Sequence, residues 1–406
     1  MDKPVSSSPL PRIAIVYGDY PPNPPGRSDG GSDFLQHLAE GLAARGHEVT
    51  AVVSRRPDRQ APFTRAGVHV EPIIHSWSLR GAFGGQLAIL RRTLQQRQID
   101  IVHVIYPDPF LRYGTNSYRL PFVLKLAGRS QLVATFFGFG VKGGGLLSNA
   151  GLMSLFATAN RVVITDANLL RRFRRSLPWW AGKARGGLVG GIAPADSGRW
   201  NGADLAQRKS ALGLGANRPH IGFFGFWSPD KGLENLLEAQ RILMDRKDPP
   251  ILVLVGGRAP EERFEYEEGI LELAGRLGIA SSLLHTGPLA PADVVRYMLA
   301  TDLCVLPFKV NPLGRSSLAL ALGLGVPTLV TRPPAEDGPL LDGAAFLESP
   351  DPGGIARSIA RLLDDPQALQ GLAESARRAA PSWSWAKIVS DYSDIYAELA
   401  GGSDRR

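Results

Sequence analysis

Along this chain, short continuous apolar runs alternate with longer segments whose apolar residues recur every three or four positions. In the first half Ile13–Tyr17, Val49–Val53, Ile101–Ile105, Leu132–Phe136 and Val162–Thr165 read as strands. In the second half His220–Phe224, Ile251–Val255, Leu283–Thr286, Leu303–Leu306 and Thr328–Val330 repeat the theme. The runs are apolar throughout, as expected of parallel strands covered on both faces. Between them lie helical patterns. Ser32–Arg45 places Leu35, Leu38, Ala39 and Leu42 on one face and ends at Gly46, a C′ stop. Further helices are predicted around Leu87–Arg97, at 353–363 and 366–379, and over about Trp385–Leu399, which is aromatic and amphipathic. Strands separated by helices imply α/β architecture with doubly wound parallel sheets. Residues 193–219 lose the periodicity and gain Pro, Gly, Asp and Asn, which predicts a linker between two such domains. Two domains facing one another would form a cleft, with ligands at the carboxyl ends of the strands.

Composition narrows the class. The 406 residues suffice for two domains. Hydrophobic content of 44% and charged content of 21% describe a soluble globular chain. No run approaches the ~18 apolar residues of a membrane span. The opening MDKPVSSSPLP lacks the apolar core of a signal peptide, and it and the closing GGSDRR read as short disordered tails. The single cysteine, Cys304, can form no intrachain disulfide, which fits a cytoplasmic location. The net charge of +8 points to anionic partners: nucleotide phosphates, lipid headgroups or nucleic acid. No DNA-reading basic helix, zinc-finger spacing or RNP-type strand is present, so nucleic acid is not expected as a partner.

Two stretches carry candidate chemistry. Leu303–Thr331, LCVLPFKVNPLGRSSLALALGLGVPTLVT, reads as strand, loop, helix and strand. Ser316 or Ser317 is placed to cap the helix, with Gly314 and Arg315 just before it. A helix start with unpaired N–H groups, its dipole and an arginine suits an anion, most naturally phosphate. A capped core helix beside a solvated arginine fits the same residues. Ile221–Leu243, IGFFGFWSPDKGLENLLEAQRIL, is a strand, a turn containing Gly225, then Lys231 and Gly232 opening a helix. Leu233, Leu236, Leu237 and Gln240 share one face. Lys231 is a second candidate for the anion, or an ordinary exposed lysine. Gly30 and Gly31, after the Pro/Gly-rich loop 18–31, would let backbone approach a ligand, or form a plain flexible turn.

Other residues remain open. His103 in IVHV is either a buried, hydrogen-bonded core residue or a site group. Asp19 and Asp29 in the glycine loop, and Asp166 after the fifth strand, could face an acceptor or simply be solvated. No Asp-x-Asp and no histidine pair at i, i+4 occurs, so no bound metal is expected. Arg171, Arg172, Arg174 and Arg175 precede Trp179 and Trp180. That segment is either a peripheral contact with anionic membrane or a solvated basic helix followed by a core-packed Trp pair.

From about residue 11 to 400 the chain resembles the family 4 glycosyltransferases, which have the GT-B fold. The resemblance is carried by YGDYPPNPPGRSDGG with LAEGLAARGHEVTAVVS, IDIVHVIYP, NRVVITDANLLRRF, FFGFWSPDKGLENLLEA, LVLVGG, HTGPL, ATDLCVLPF, GVPTLVT and PSWSWAKIVSDYSDIYAEL, in that order. It implies an N-terminal Rossmann-like acceptor domain at 11–195, a linker at 196–218, and a C-terminal Rossmann-like nucleotide-sugar donor domain at 219–382. The helix at 383–400 then crosses back to the first domain.

The resemblance has gaps. Many relatives carry two glutamates seven residues apart; the positions here are Asn311 and either Ala319 or Leu320. Arg315–Leu318 nearly matches the "R-G-S-L" of a subgroup without them. A phosphate arginine falls at Phe226 or Trp227, and the histidine of "T-x-H-G" falls at Phe137.

The function implied is a glycosyltransferase, using a nucleotide-diphosphate sugar as co-substrate and needing no cofactor or metal. Transfer would go, with retention, to the hydroxyl of a glycan, a lipid-linked acceptor or a small molecule. Lys231 and Arg315 are the expected catalytic cations. Gly30, Gly31, Gly225, Asn311, Gly314, Ser316 and Ser317 join them at the donor, while Asp19, His103 and Phe137 lie on the acceptor side. The missing carboxylates leave a second expectation: a non-catalytic GT-B protein that recognises a glycan or an active transferase.

Overall fold

A computed structural model describes residues 10–21, 30–74, 83–106, 130–137, 146–187, 189–191, 204–215, 217–257, 264–334 and 341–401. The chain forms two compact units. One takes the described residues up to 187 together with 385–401, and the other takes those from 189 to 384.

The first unit is built on an eight-stranded sheet. Its strands are β1 Ile13–Val16, β2 Val49–Ser54, β3 Phe63–Arg65, β4 Val68–Ile74, β5 Ile101–Tyr106, β6 Gln131–Phe136, β7 Arg161–Ile164 and β8 Ala184–Gly186, in the order β3-β4-β2-β1-β5-β6-β7-β8. Every pairing is parallel except β3 with β4, which form a hairpin turning at Ala66 and Gly67, both at positive φ. Helices α1 Gly30–Ala44, α2 Phe83–Gln96, α3 Leu146–Thr158 and α4 Ala167–Ser176 follow in chain order.

Both faces of the sheet are covered. On one, Phe34, Leu35, Leu38 and Leu42 of α1 pack beside Ile388, Val389, Tyr392 and Tyr396 of the last helix, Trp385–Gly401. On the other lie Leu90 and Leu94 of α2, Leu155 and Phe156 of α3, and Phe173 of α4. This double burial explains why β1, β2 and β5 are buried at every position and so lack polar alternation.

The second unit holds six parallel strands, β9 His220–Phe224, β10 Ile251–Val255, β11 Leu283–His285, β12 Leu303–Leu306, β13 Thr328–Val330 and β14 Ala344–Phe346. Their order is β11-β10-β9-β12-β13-β14. Its helices are α5 Leu205–Ala211, α6 Leu233–Leu243, α7 Phe264–Arg276, α8 Pro291–Leu299, α9 Ser316–Gly323, α10 Pro352–Asp364 and α11 Pro366–Ala379. The final helix, already placed in the first unit, is α12.

The stretch expected to be an aperiodic linker contains α5, started by an Asp204–Gln207 capping box. Lys209 of α5 is buried and paired with Asp302 (2.6 Å), which ties this helix to the second unit. One polar-looking helix is thus anchored by a buried ion pair, a contact that periodicity cannot reveal.

Candidate functional site

In the second unit the strand order reverses at β9: β10 lies on one side of it and β12 on the other. Connections leaving β9 and β12 at their carboxyl ends therefore diverge, and ligands bind in such a crevice. Both sequence-derived cations follow these two strands.

After β9 the backbone crosses toward β10. The Gly225 N–H donates to the Val255 carbonyl (3.2 Å), and the Trp227 N–H donates to the Gly257 carbonyl (2.9 Å). Gly225 sits at φ +142°. Pro229–Lys231 then form a 3₁₀ turn, closed by the Lys231 N–H donating to the Ser228 carbonyl (2.9 Å). Lys231 therefore precedes α6 in a turn of its own and is not the first residue of the helix. Gly232 separates them at φ +72°, where a Cβ would lie 2.1 Å from the Pro307 carbonyl oxygen. Only glycine allows the two loops to approach this closely. The Lys309 N–H donates to the Asp230 carbonyl (2.9 Å) and fastens the loop after β12 to the turn after β9.

Phe308, fully buried, forms the floor. Lys231 Nζ lies 5.1 Å and Arg315 Cζ 5.9 Å from the centroid of its ring. The structure thus brings the two predicted cations together over one aromatic side chain. Arg315 Nη1 is 2.8 Å from Asp230 Oδ2, and the Ser228 hydroxyl donates to Asp230 Oδ1. Burial alone would raise the Asp230 carboxyl. The Ser228 hydrogen bond and the charges of Arg315 and Lys231 outweigh it and hold the group below the usual carboxylate range.

The cap of α9 differs from expectation. Arg315 itself is the N-cap residue, and no side chain caps the helix. Ser316 is exposed, whereas Ser317 is 2% exposed and its Oγ is buried without a hydrogen-bond partner. Ser317 lies under Gly225, whose hypothetical Cβ would stand 3.8 Å from the serine Cβ. The helix start thus keeps its N–H groups uncapped by side chains, beside the two cations. Gly314, at φ +81°, makes the turn into it. Asn311 accepts from the Leu313 N–H (3.1 Å) and so shapes that turn.

Where relatives carry the phosphate arginine, Phe226 is 45% exposed. Trp227 is buried, 4.5 Å from the His285 ring, with its Nε1 unpartnered. Sequence reasoning missed Asp230 and Phe308. Their only signals were an aromatic directly after the strand-ending proline and an acid beside the lysine.

The acceptor-side candidates separate. His103 is fully buried in the core of the first unit. It is hydrogen-bonded to Thr135 Oγ1 (2.8 Å) and Tyr396 Oη (2.8 Å) and stacked on Tyr392 at 5.2 Å. Burial pushes its imidazole down to about 3, so it stays neutral and structural.

Asp19 is held by Arg56 (2.7 Å) and Arg59 (2.6 Å), and is a structural ion-pair centre rather than a solvated carboxylate. Asp166 caps α4, accepting from the Leu169 N–H (2.8 Å). Phe137 packs edge-on against Phe34 at 4.9 Å. Gly30 starts α1, and a Cβ on Gly31 would strike the Tyr17 hydroxyl at 2.1 Å, so Gly31 admits that tyrosine. Asp29 lies outside the described residues.

The basic–aromatic segment divides likewise. Phe173 turns inward against Phe156 (4.8 Å), and Trp180 packs partly on the core beneath Lys183 (5.1 Å). Trp179 is 68% exposed, next to exposed Arg172, Arg174 and Arg175. The expected core-packed pair is therefore split, one tryptophan in and one out. Among the described residues no group of three or more His, Cys, Asp or Glu could hold a metal ion, and no helix is long and apolar enough to cross a membrane.

Residues 29–185 match the glycosyl transferase 4-like domain, and residues 206–379 match the glycosyl transferases group 1 domain. The chain is 30% identical over 221 residues to the D-inositol 3-phosphate glycosyltransferase of Salinispora arenicola, an alignment covering 51% of this chain and 47% of that protein. It spans about half the length of the curated relatives it matches. Among solved structures, sucrose-phosphate synthase from Thermosynechococcus elongatus superposes with a TM-score of 0.72 at 18% identity, covering 97% of this chain and 100% of the other. Anabaena HepE in complex with UDP superposes with a TM-score of 0.70 at 16% identity, covering 95% and 100%. At such identities these two likenesses concern the fold.

Proposed function

Because this chain belongs to the glycosyltransferases of GT-B fold, a 4-like domain followed by a group 1 domain, we propose that it transfers a sugar from a nucleotide-diphosphate donor to a hydroxyl acceptor. The observation that supports this most is the pair Lys231 and Arg315 over Phe308, beside the uncapped start of α9. As the glycosidic bond to the donor breaks, negative charge grows on the departing diphosphate. Fixed cations and helix N–H groups lower that barrier without reorganising. In this reading the second unit binds the donor and the first unit the acceptor, with Phe137 at its edge. Gly225 leaves space above Ser317, whose hydroxyl would donate to a phosphate oxygen. Protein cations do the work that a divalent metal does elsewhere, and the sugar is transferred with retention.

The test is nucleotide release. The purified protein is incubated with UDP-, GDP- and ADP-sugars, with and without hydroxyl acceptors. A phosphorylated cyclitol is included, since several relatives are named D-inositol 3-phosphate glycosyltransferases. One donor should yield its nucleoside diphosphate, faster with acceptor present. Binding of a donor without any release would favour the second reading, a non-catalytic glycan- or transferase-recognising protein. Asn311 standing in place of a carboxylate motivates that alternative.

The same reading places the protein peripherally on anionic membrane in the cytoplasm. From 167 to 187 the chain has Arg171, Arg172, Arg174, Arg175, Lys183 and Arg185 and no acidic residue. Lys183 donates to the carbonyls of Ala157 and Ala159, just before β7. The exposed Trp179 therefore lies toward the amino edge of the first sheet, away from the carboxyl ends where ligands bind.

A further inference from the structure

We propose that Asp230 is a positioning residue of the donor site: it holds the Arg315 guanidinium beside Lys231 and aims its remaining N–H groups at the leaving diphosphate. The inference rests on the donor-site reading above and adds to it a residue that reading does not use. Both carboxylate oxygens and the backbone carbonyl of Asp230 are engaged. Oδ2 receives Arg315 Nη1 (2.8 Å), Oδ1 receives the Ser228 hydroxyl, and the backbone carbonyl receives the Lys309 N–H (2.9 Å). The side chain it holds is fixed at its other end too, because Arg315 is the N-cap of the buried helix α9 and lies over Phe308. A guanidinium has five N–H donors in a rigid plane. One used at Asp230 locks the plane and leaves others for an anion. Lys231, one residue along the same 3₁₀ turn, approaches the same Phe308 ring, so Asp230 holds Arg315 on the side of the site where Lys231 stands.

A carboxylate here has two opposing effects. Its charge repels the diphosphate and so weakens binding in the ground state. Its hold on Arg315 removes the rotamer freedom that would otherwise have to be frozen as the bond breaks. A residue kept only to support the fold would not separate these effects. A positioning residue would: its removal lowers turnover without weakening the affinity for diphosphate.

The experiment compares wild type, Asp230→Ala, Asp230→Asn, Arg315→Ala and the Asp230→Ala/Arg315→Ala double variant. Turnover is measured with the donor that the wild type uses, and affinity with its nucleoside diphosphate and with inorganic pyrophosphate. Thermal unfolding reports the fold. Asp230→Ala should lower kcat by about 10- to 100-fold while the Kd for either anion stays equal or falls. Asp230→Asn keeps an oxygen acceptor for Arg315 and should retain more turnover than the alanine variant. In the Arg315→Ala background, Asp230→Ala should change kcat no further. A full effect in that background, or an anion affinity that weakens in step with kcat, overturns the assignment. So does unchanged kcat in Asp230→Ala when Arg315→Ala is impaired, and in that case the donor site itself stands. Normal turnover in Arg315→Ala overturns both. Should Asp230→Ala not fold, Asp230→Asn is compared in both backgrounds: without the charge that holds Arg315 it should still lower kcat, by less than about 10-fold, with no loss of anion affinity, and an unchanged kcat overturns the assignment.

Discussion

Lys231 and Arg315 both approach the Phe308 ring, and Asp230, paired with Arg315 and next to Lys231 in the chain, sets a negative charge beside them. Lys231→Ala and Arg315→Ala are each expected to reduce turnover by about 10²–10³. The double variant should lose less than the product of the two, since both cations act on one group. Circular dichroism should show folded protein throughout, because partly exposed charges at turns contribute little to stability. Near-normal turnover in both single variants would place the donor elsewhere. At this scale the two cations could be read from their positions after strands. Asp230 could not, because its role exists only through a contact 85 positions along the chain. His103 shows the converse. Its residue type suggested chemistry, and complete burial between Thr135, Tyr392 and Tyr396 makes it a core group.

Elements defined by their own pattern were legible, and elements defined by their neighbours were not. β1, β2, β5, β9, β10 and β12 are mainly apolar runs with no charged residue inside, and α1 and α6 carry clean stripes. By contrast β3 (FTR), β8 (ARG) and β14 (AAF) have three residues each, with small or charged residues in place of the branched apolar ones that mark a strand. Each lies at a sheet edge, and pairing with β4, β7 or β13 supplies the order that its sequence lacks. β4 was missed for another reason: His69 and Glu71 interrupt its apolar run.

The segment through α4 and Pro178–Lys183 belongs to this scale as well. Its helical stripe faces Phe173 inward, and the remaining surface is basic with Trp179 outward. Vesicles containing anionic lipid should sediment the protein at low salt and release it at high salt, because surface attraction is screened over about 8–10 Å near physiological ionic strength. Replacing Arg171, Arg172, Arg174 and Arg175 by Ser should abolish sedimentation and leave nucleotide release intact. Equal binding to neutral vesicles, or none to either kind, would count against a lipid partner.

For the molecule as a whole, the chemistry proposed needs no divalent ion. The chain has no Asp-x-Asp, and among its described residues no acidic or histidine cluster could hold a metal. Transfer measured in excess EDTA should proceed at the untreated rate, whereas loss on chelation and recovery with Mg²⁺ or Mn²⁺ would assign the charge neutralisation to a metal. What the sequence by itself determined is the α/β class, the pair of repeating βα halves and the loops that bear the cations. Each of these follows from local periodicity and from the residues that terminate strands and start helices. Only the tertiary structure decided the strand order that puts β9 beside β12 and the meeting of Asp230 with Arg315 next to Lys231 and Phe308. Those outcomes depend on contacts between residues far apart in the chain. Such contacts form by burying shared apolar surface and by pairing charges, and no local pattern encodes which partners will meet.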